Sequence, residues 1–284
     1  MQANRDVKTT GFTLVELSLA LVIIGLIVGG VLTGRSLIAA AKIRAQISQI
    51  EQFKTAVSAF QNKYDGIPGD LVLNKAKNLG FVTNGCDGVQ GTRDGNELID
   101  GWQGSPYYLD QFIGETGMFW EDLSASGLIK GAFPANGAVA RDCLPYTDTT
   151  ALSLSAGPYY VGNFIPSAAV GGGNFIYVYE NNGTNYYGLS SVTGTYDGGE
   201  YRMLSSATLP VISAYDIDTK IDDGIPTTGT VTTNYLSYNT ITDVNSAAND
   251  SATTCYNTST ATGIYSTAQN RGNGENCALS FQFP

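Results

Sequence analysis

The sequence predicts an α+β fold, with a long N-terminal α-helix packed through its second half on a β-rich head. Three observations predict it. Phe12 to Leu32 carries a single charged residue, Glu16. Apolar residues then recur at steps of three and four, through Ile43, Ile47, Ile50, Phe53, Val57, Phe60 and Tyr64. Beyond that point, short aromatic and β-branched runs alternate with Gly, Asn, Ser and Thr.

Residues 1–11 are polar, with Arg5 and Lys8 against Asp6. The apolar run that follows is long enough to span a bilayer as a helix, which takes about 20 residues. An ordinary secretory signal is cut at small residues after its apolar region. Here the small residue, Gly11, comes first, so a cut there leaves the apolar segment on the mature chain. Glu16 is the anomaly in that segment. A carboxylate in a membrane costs on the order of 3 kcal/mol. Either it lies near the interface and stays hydrated, or a cation in the same layer pairs with it.

The stripe from Ile43 to Tyr64 marks one face of an amphipathic helix. Lys42, Arg44, Gln46, Gln49, Glu51 and Lys54 fall on other faces. No proline occurs before Pro68. A helix from 13 to 64 would be roughly 78 Å long. Its first half must bury its surface in lipid or against sister helices, and its second half can pack on the head. Tyr64-Asp65-Gly66-Ile67-Pro68-Gly69-Asp70 ends it, because two glycines and a proline disfavour continuation.

In the head, Phe119 to Leu128 reads as a short helix with Gly127 near its end. Tyr159–Val161, Phe175–Glu180 and Tyr186–Ser191 read as strands, and Asn181-Asn182-Gly183-Thr184 as a hairpin turn. Thr208 to Gly224 reads as a helix capped by Thr208, with Pro210 in its first turn. The Thr/Ser/Asn-rich tail from Thr227 reads as short strands in long loops.

Composition narrows the function. The net charge is -10, whereas a nucleic-acid-binding head wants a basic surface. Histidine is absent, which removes Ser-His and Cys-His catalysis. There is no phosphate loop either, so the chain reads as a non-enzyme. The four cysteines, Cys86, Cys143, Cys255 and Cys277, form no CxxC pair. In an exported chain they suggest disulfides. Three connectivities are open, and Cys86–Cys143 with Cys255–Cys277 is preferred because each closes the shorter loop.

Gly11-Phe12-Thr13-Leu14-Val15-Glu16-Leu17 resembles the cleavage and methylation motif of type IV pilins and secretion-system pseudopilins. The resemblance covers about the first fifth of the chain. It implies cutting by a membrane prepilin peptidase between Gly11 and Phe12, and N-methylation of the Phe12 amine. It also implies assembly through Glu16, whose carboxylate would neutralise the Phe12 amine of a neighbouring subunit. The organisation it implies is a leader at 1–11, a transmembrane and polymerisation helix at 12–64, and an exported pilin-like head at 65–284. Partners would be further copies of the chain, the peptidase, an inner-membrane assembly platform and, before assembly, membrane lipid. The subunit would sit in the inner membrane with a periplasmic head, and later in a periplasmic or extracellular fibre.

The chain departs from the family in lacking a proline within the helix. It has Gly25, Gly29, Gly30 and Gly34 instead, which suit either local unwinding or close helix packing. Alternatives within the family are a secretion or DNA-uptake piston and a minor tip subunit with an adhesive head.

Asp218 and Asp222 lie four apart, and Asp223 follows at the expected helix end. Acids there oppose the helix dipole. Calcium held by Asp218, Asp222 and Asp223 is one solution; solvated or Arg-paired acids are the other. Asp87, Asp94, Asn96, Glu97 and Asp100 form a second acidic, glycine-rich loop, a weaker place for the same ion.

Overall fold

The computed structural model describes residues 11, 13–83, 93–101, 111, 114–133, 160–196, 202–237, 244–246, 254–257 and 263–284. They form two compact units, Met1–Lys42 and Ile43–Pro284. Helix α1 runs unbroken from Leu14 to Tyr64, through all four glycines.

In the first unit the large apolar side chains, from Leu14 to Ile38, are exposed. The helix is long and apolar enough to cross a membrane, by length and composition. The second unit begins where the apolar stripe begins, and that stripe is core. Ile43, Ile50, Phe53, Val57 and Phe60 are buried, and Ile47 and Tyr64 pack against the same cluster.

Gln46, expected on another face, is fully buried instead. Its Oε1 accepts the Val170 N–H at 3.1 Å, and Gln49 Oε1 accepts the Ala169 N–H at 2.8 Å. These glutamines satisfy the backbone of a loop lying against the helix, which is why a polar residue interrupts the stripe.

The remaining helices are α2 (Leu73–Leu79), α3 (Gly114–Ala125) and α4 (Val211–Ile221). The strands are β1 (Asn174–Glu180), β2 (Asn185–Tyr196), β3 (Arg202–Ser206), β4 (Leu209–Pro210), β5 (Val231–Thr232), β6 (Asn234–Leu236), β7 (Val244–Ser246), β8 (Tyr256–Asn257), β9 (Ile264–Tyr265), β10 (Glu275–Cys277) and β11 (Leu279–Phe283). The main sheet has the order β1-β2-β11-β5, with β3 also paired to β2. All its pairings are antiparallel. The β1–β2 hairpin turns through Asn182 and Gly183, both at positive φ, as that two-residue turn requires. Trp120 of α3 meets Phe53 of α1 edge-on at 4.8 Å between ring centroids. Tyr187 of β2 stacks on Phe283 of β11 at 4.2 Å.

The expected elements differ in three places. The helix expected from Phe119 begins at Gly114, because its first turn is polar and carries no apolar period. Of the expected strand at Tyr159–Val161, Tyr160 is extended and Val161 opens a 3-10 turn at Val161–Asn163, while Tyr159 lies outside the described residues. Thr208 does not cap α4; its hydroxyl donates to Asn174 Oδ1 at 3.2 Å, and Pro210 holds the cap position.

The Cys255–Cys277 disulfide is formed, with Cα atoms 4.8 Å apart. It ties the β8 strand to β10. Cys86 and Cys143 lie outside the described residues.

Candidate functional site

The start of α1 is built by a short side-chain circuit. Thr13 N–H and Thr13 Oγ1 both donate to Glu16 Oε2, at 2.9 and 2.8 Å. Glu16 N–H returns to Thr13 Oγ1 at 3.3 Å. This is a capping box, in which a Thr and a Glu three residues later satisfy each other's orphan backbone donors. Glu16 thus has a local use that neither hydration nor an intermolecular cation supplies. Gly11 is exposed; Phe12 lies outside the described residues.

A second constellation gathers where α1 ends. Gly69 sits at φ +86°, and a Cβ there would come within 2.5 Å of the Glu115 carbonyl. Only glycine lets the chain pass so close to α3. The Gly69 N–H donates to Asp122 Oδ2 at 2.8 Å. Asp122 also receives Arg93 in a bidentate pair, at 2.8 and 2.7 Å. Both side chains of that pair are fully buried. Arg93 Nε donates to the Val82 carbonyl at 2.9 Å.

Next to this pair, Asp70 accepts the Gly95 and Glu97 N–H groups at 2.6 and 2.7 Å. Glu115 accepts those of Asp94 and Asp100, at 3.3 and 3.0 Å. Asp70 and Glu115 are buried and hydrogen-bond each other. One oxygen from each of Asp70, Asp94 and Glu115 lies within 4.8 Å of the others. Burial pushes the Asp70 carboxyl up to about 6 and the Glu115 carboxyl well above its ordinary value, each raised further by acidic neighbours. Two buried carboxyls in contact share a proton, since both cannot ionise cheaply.

Linkage gives the sign. Both groups bind protons more tightly folded than unfolded, where Asp70 titrates near 3.8. The stability they lend is complete below that value and is lost as pH climbs through about 6. Glu115→Gln keeps a donor toward Asp70 and an acceptor for the loop N–H groups. It is expected to flatten the fall in melting temperature between pH 5 and 8, and to melt higher than wild type at pH 8. Parallel melting curves for the two proteins across that range would refute the shared proton.

The sequence reading missed Asp70, Glu115, Arg93 and Asp122. Asp70 was hidden in a turn that simply stops a helix. Glu115 and Asp122 are seven apart, one helical face, and that face also holds Met118 and Phe119 on its flanks. Of the second acidic loop, Asp94 joins the cluster and Glu97 contributes its N–H; Asp87 lies outside the described residues.

The three aspartates of the C-terminal site do converge. One oxygen from each of Asp218, Asp222 and Asp223 lies within 4.8 Å of the others. Asp218, in the last turn of α4, is buried and accepts the Tyr265 hydroxyl at 2.8 Å and the Gly224 N–H at 3.3 Å. Burial pushes its carboxyl up to about 6. Asp222 is the C-cap residue, and Asp223 lies past the helix end. Their carboxylates turn to the following loop. Asp222 Oδ2 accepts the Thr230 and Val231 N–H groups. Asp223 accepts the Ile225 N–H at 2.8 Å and the Thr228 hydroxyl at 2.7 Å. Gly229, at φ +78°, is the residue against which Asp222 rests; a Cβ there would overlap the carboxylate. The conflict with the helix dipole is thereby eased, because two of the three acids act on N–H groups beyond the helix.

The donor set is all oxygen, and a carboxylate oxygen holding one N–H retains a second lone pair. That suits a hard cation such as calcium. Millimolar calcium is expected to raise the melting temperature of the full chain over that of the chelated protein by a few degrees, and Asp223→Asn to shrink the shift. Saturation a hundredfold above Kd is worth about 2.7 kcal/mol. An unchanged melting temperature leaves the three acids as a clamp on the loop and nothing more.

No protein-family model, curated protein or solved structure matches the chain.

Proposed function

We propose that the chain is the precursor of a type IV pilin-like fibre subunit, structural and not catalytic. One observation carries the reading: the run Gly11 to Leu17 stands at the head of the exposed apolar segment of α1, in which Glu16 is the sole carboxylate before Glu51. A prepilin peptidase cuts after Gly11 and the Phe12 amine is methylated. The helix then leaves lipid for the core of a fibre built from identical copies, on an inner-membrane platform. The exposed side chains of the first unit support this, since a surface apolar on every side needs either lipid or other helices around it. The β-rich second unit, with its disulfide, suits a head outside the cytoplasm. Calcium at Asp218, Asp222 and Asp223 would brace that head.

The reading is tested by mass spectrometry of the chain from membranes and from sheared fibres. A methylated Phe12 terminus is the expected result. An intact Met1 terminus in assembled subunits, or a cut beyond residue 30, rejects it. Copy number in the same fibres separates a main subunit from a tip subunit, and fibre length separates a pilus from a short secretion piston.

A further inference from the structure

A groove of about 600 Å³ runs across the second unit, between α1 and the segment that follows α3. One wall is the stretch of α1 from Ser48 to Ala59; the other is Leu128, Ile129 and Lys130. The buried Phe53 and Ala56 lie at its base. Leu128 and Ile129 are half-buried, so the groove is apolar below and polar at its rim.

Most of the polar side chains along it are already engaged. The Gln52 amide donates to Ser48 Oγ at 3.0 Å, and Thr55 Oγ1 donates to the Glu51 carbonyl at 2.8 Å. Gln49 holds the Ser167 carbonyl and the Ala169 N–H, both at the loop that lies on α1. Two charges are left over. Glu51 on α1 and Lys130 on the facing wall are exposed, and neither enters a salt bridge among the described residues. A groove with an uncommitted acid on one wall and an uncommitted base on the other is complementary in charge to itself. Turned about a two-fold axis, a second copy sets its Lys130 against Glu51 and its Glu51 against Lys130. Two-fold contacts have that reciprocity, since residue i meets j and j meets i.

From this we propose that the chain pairs with a second copy through the groove, joined by reciprocal Glu51–Lys130 ion pairs over its apolar base. The contact is small beside a standard interface of about 20–30 residues a side, so the pair is transient. Opposite charges at the rim steer the encounter and select the partner more than they add affinity. A two-fold contact closes on itself and does not propagate. On the fibre reading, the pair is therefore a resting state, and it must part before subunits add head to tail.

The test uses the full chain in mild detergent, with a carbodiimide that joins a carboxylate to an amine in direct contact. Isotopically labelled and unlabelled chains are mixed, so that a link between chains is told from one within a chain. Wild type is expected to give a covalent dimer with Glu51 of one chain joined to Lys130 of the other, and less of it in high salt, as screening requires. Glu51→Lys and Lys130→Glu each bring like charges together twice. Each alone is expected to lower dimer yield about tenfold or more. Mixed in equal amounts, the two variants are complementary again, and a dimer holding one of each should return close to the wild-type yield. The double variant E51K/K130E should recover as well. Unchanged dimer in either single variant, or no recovery in both the mixture and the double variant, overturns the pairing. A Glu51–Lys130 link found only within single chains assigns the two charges to each other and also overturns it. Neither cleavage before Phe12 nor fibre yield enters these readouts, so the pair can fail while the fibre reading stands, and the reverse.

Discussion

Glu16→Ala and Glu16→Gln are both expected to leave cleavage after Gly11 intact and to reduce recovery of sheared fibres to a small fraction of wild type. A peptidase cutting as proposed would act at the Gly11–Phe12 bond, which neither change touches. Assembly makes a different demand. A subunit moving from lipid into a protein core must find partners for its charged amine and its carboxylate. Pairing the Phe12 amine of one copy with Glu16 of the next offsets both desolvation costs together. Removing one partner strands the other, which typically costs about 3–5 kcal/mol.

The capping box at Thr13 makes the two variants informative. Alanine loses both the charge and the cap, and loss of a cap alone costs about 0.5–2 kcal/mol. Glutamine can still reach back to the Thr13 N–H, because Glu and Gln serve equally in that motif. Fibre yield near normal for glutamine but low for alanine would make Glu16 a helix cap and nothing else. Normal yield from both would end the pairing idea altogether.

Asp122→Ala should be the most damaging single change in the second unit, costing about 3–5 kcal/mol. It removes the acceptor of two Arg93 bonds and of the Gly69 N–H. The guanidinium left behind is fully buried and keeps, among the described residues, the Val82 carbonyl. Arg93 also sits at φ +60°, a conformation that costs a non-glycine residue of order 1–3 kcal/mol and persists only when its surroundings fix it. Chemical denaturation of the full chain measures the loss. The double variant Arg93→Leu/Asp122→Leu should recover part of it, since apolar replacement of a buried pair is often neutral. A loss under 1 kcal/mol for Asp122→Ala would mean that water reaches the site and the pair is not sealed.

The legible parts of the fold were those with a strong period or an unambiguous turn. The stripe Ile43 to Tyr64 was read correctly because the helix buries one face of a compact unit. The β1–β2 hairpin was read from Asn182-Gly183, which few other turns accommodate. The Cys255–Cys277 pairing followed from loop length. The start of α3 was not legible, because its first turn consists of Gly114, Glu115 and Thr116, buried by tertiary contact and not by pattern. The same holds for Gln46, which is buried to serve the backbone of a loop more than a hundred residues away. The Asp218 cluster could be found because its members are neighbours in sequence. The cluster around Asp122 draws on the end of α1, a loop and α3, and only the fold assembles it.

The place of β11 in the main sheet bears on the order in which the protein can be made. Leu189 of β2 pairs with Leu279 of β11, about 90 residues later. Until residue 283 has reached the same compartment, one side of β2 has no neighbour along that stretch. Loop closure over such a span precedes any gain from pairing, so sheets of this kind form slowly. If the chain is threaded across a membrane from its anchor, the hairpin of β1 and β2 arrives early and waits with an open edge, the feature that invites wrong pairing with other chains. Cys277 immediately precedes the last strand, so the Cys255–Cys277 bond could close before that strand is added. An oxidising compartment would thus act as a late checkpoint on synthesis, holding β10, and through it β11, near the position it must take.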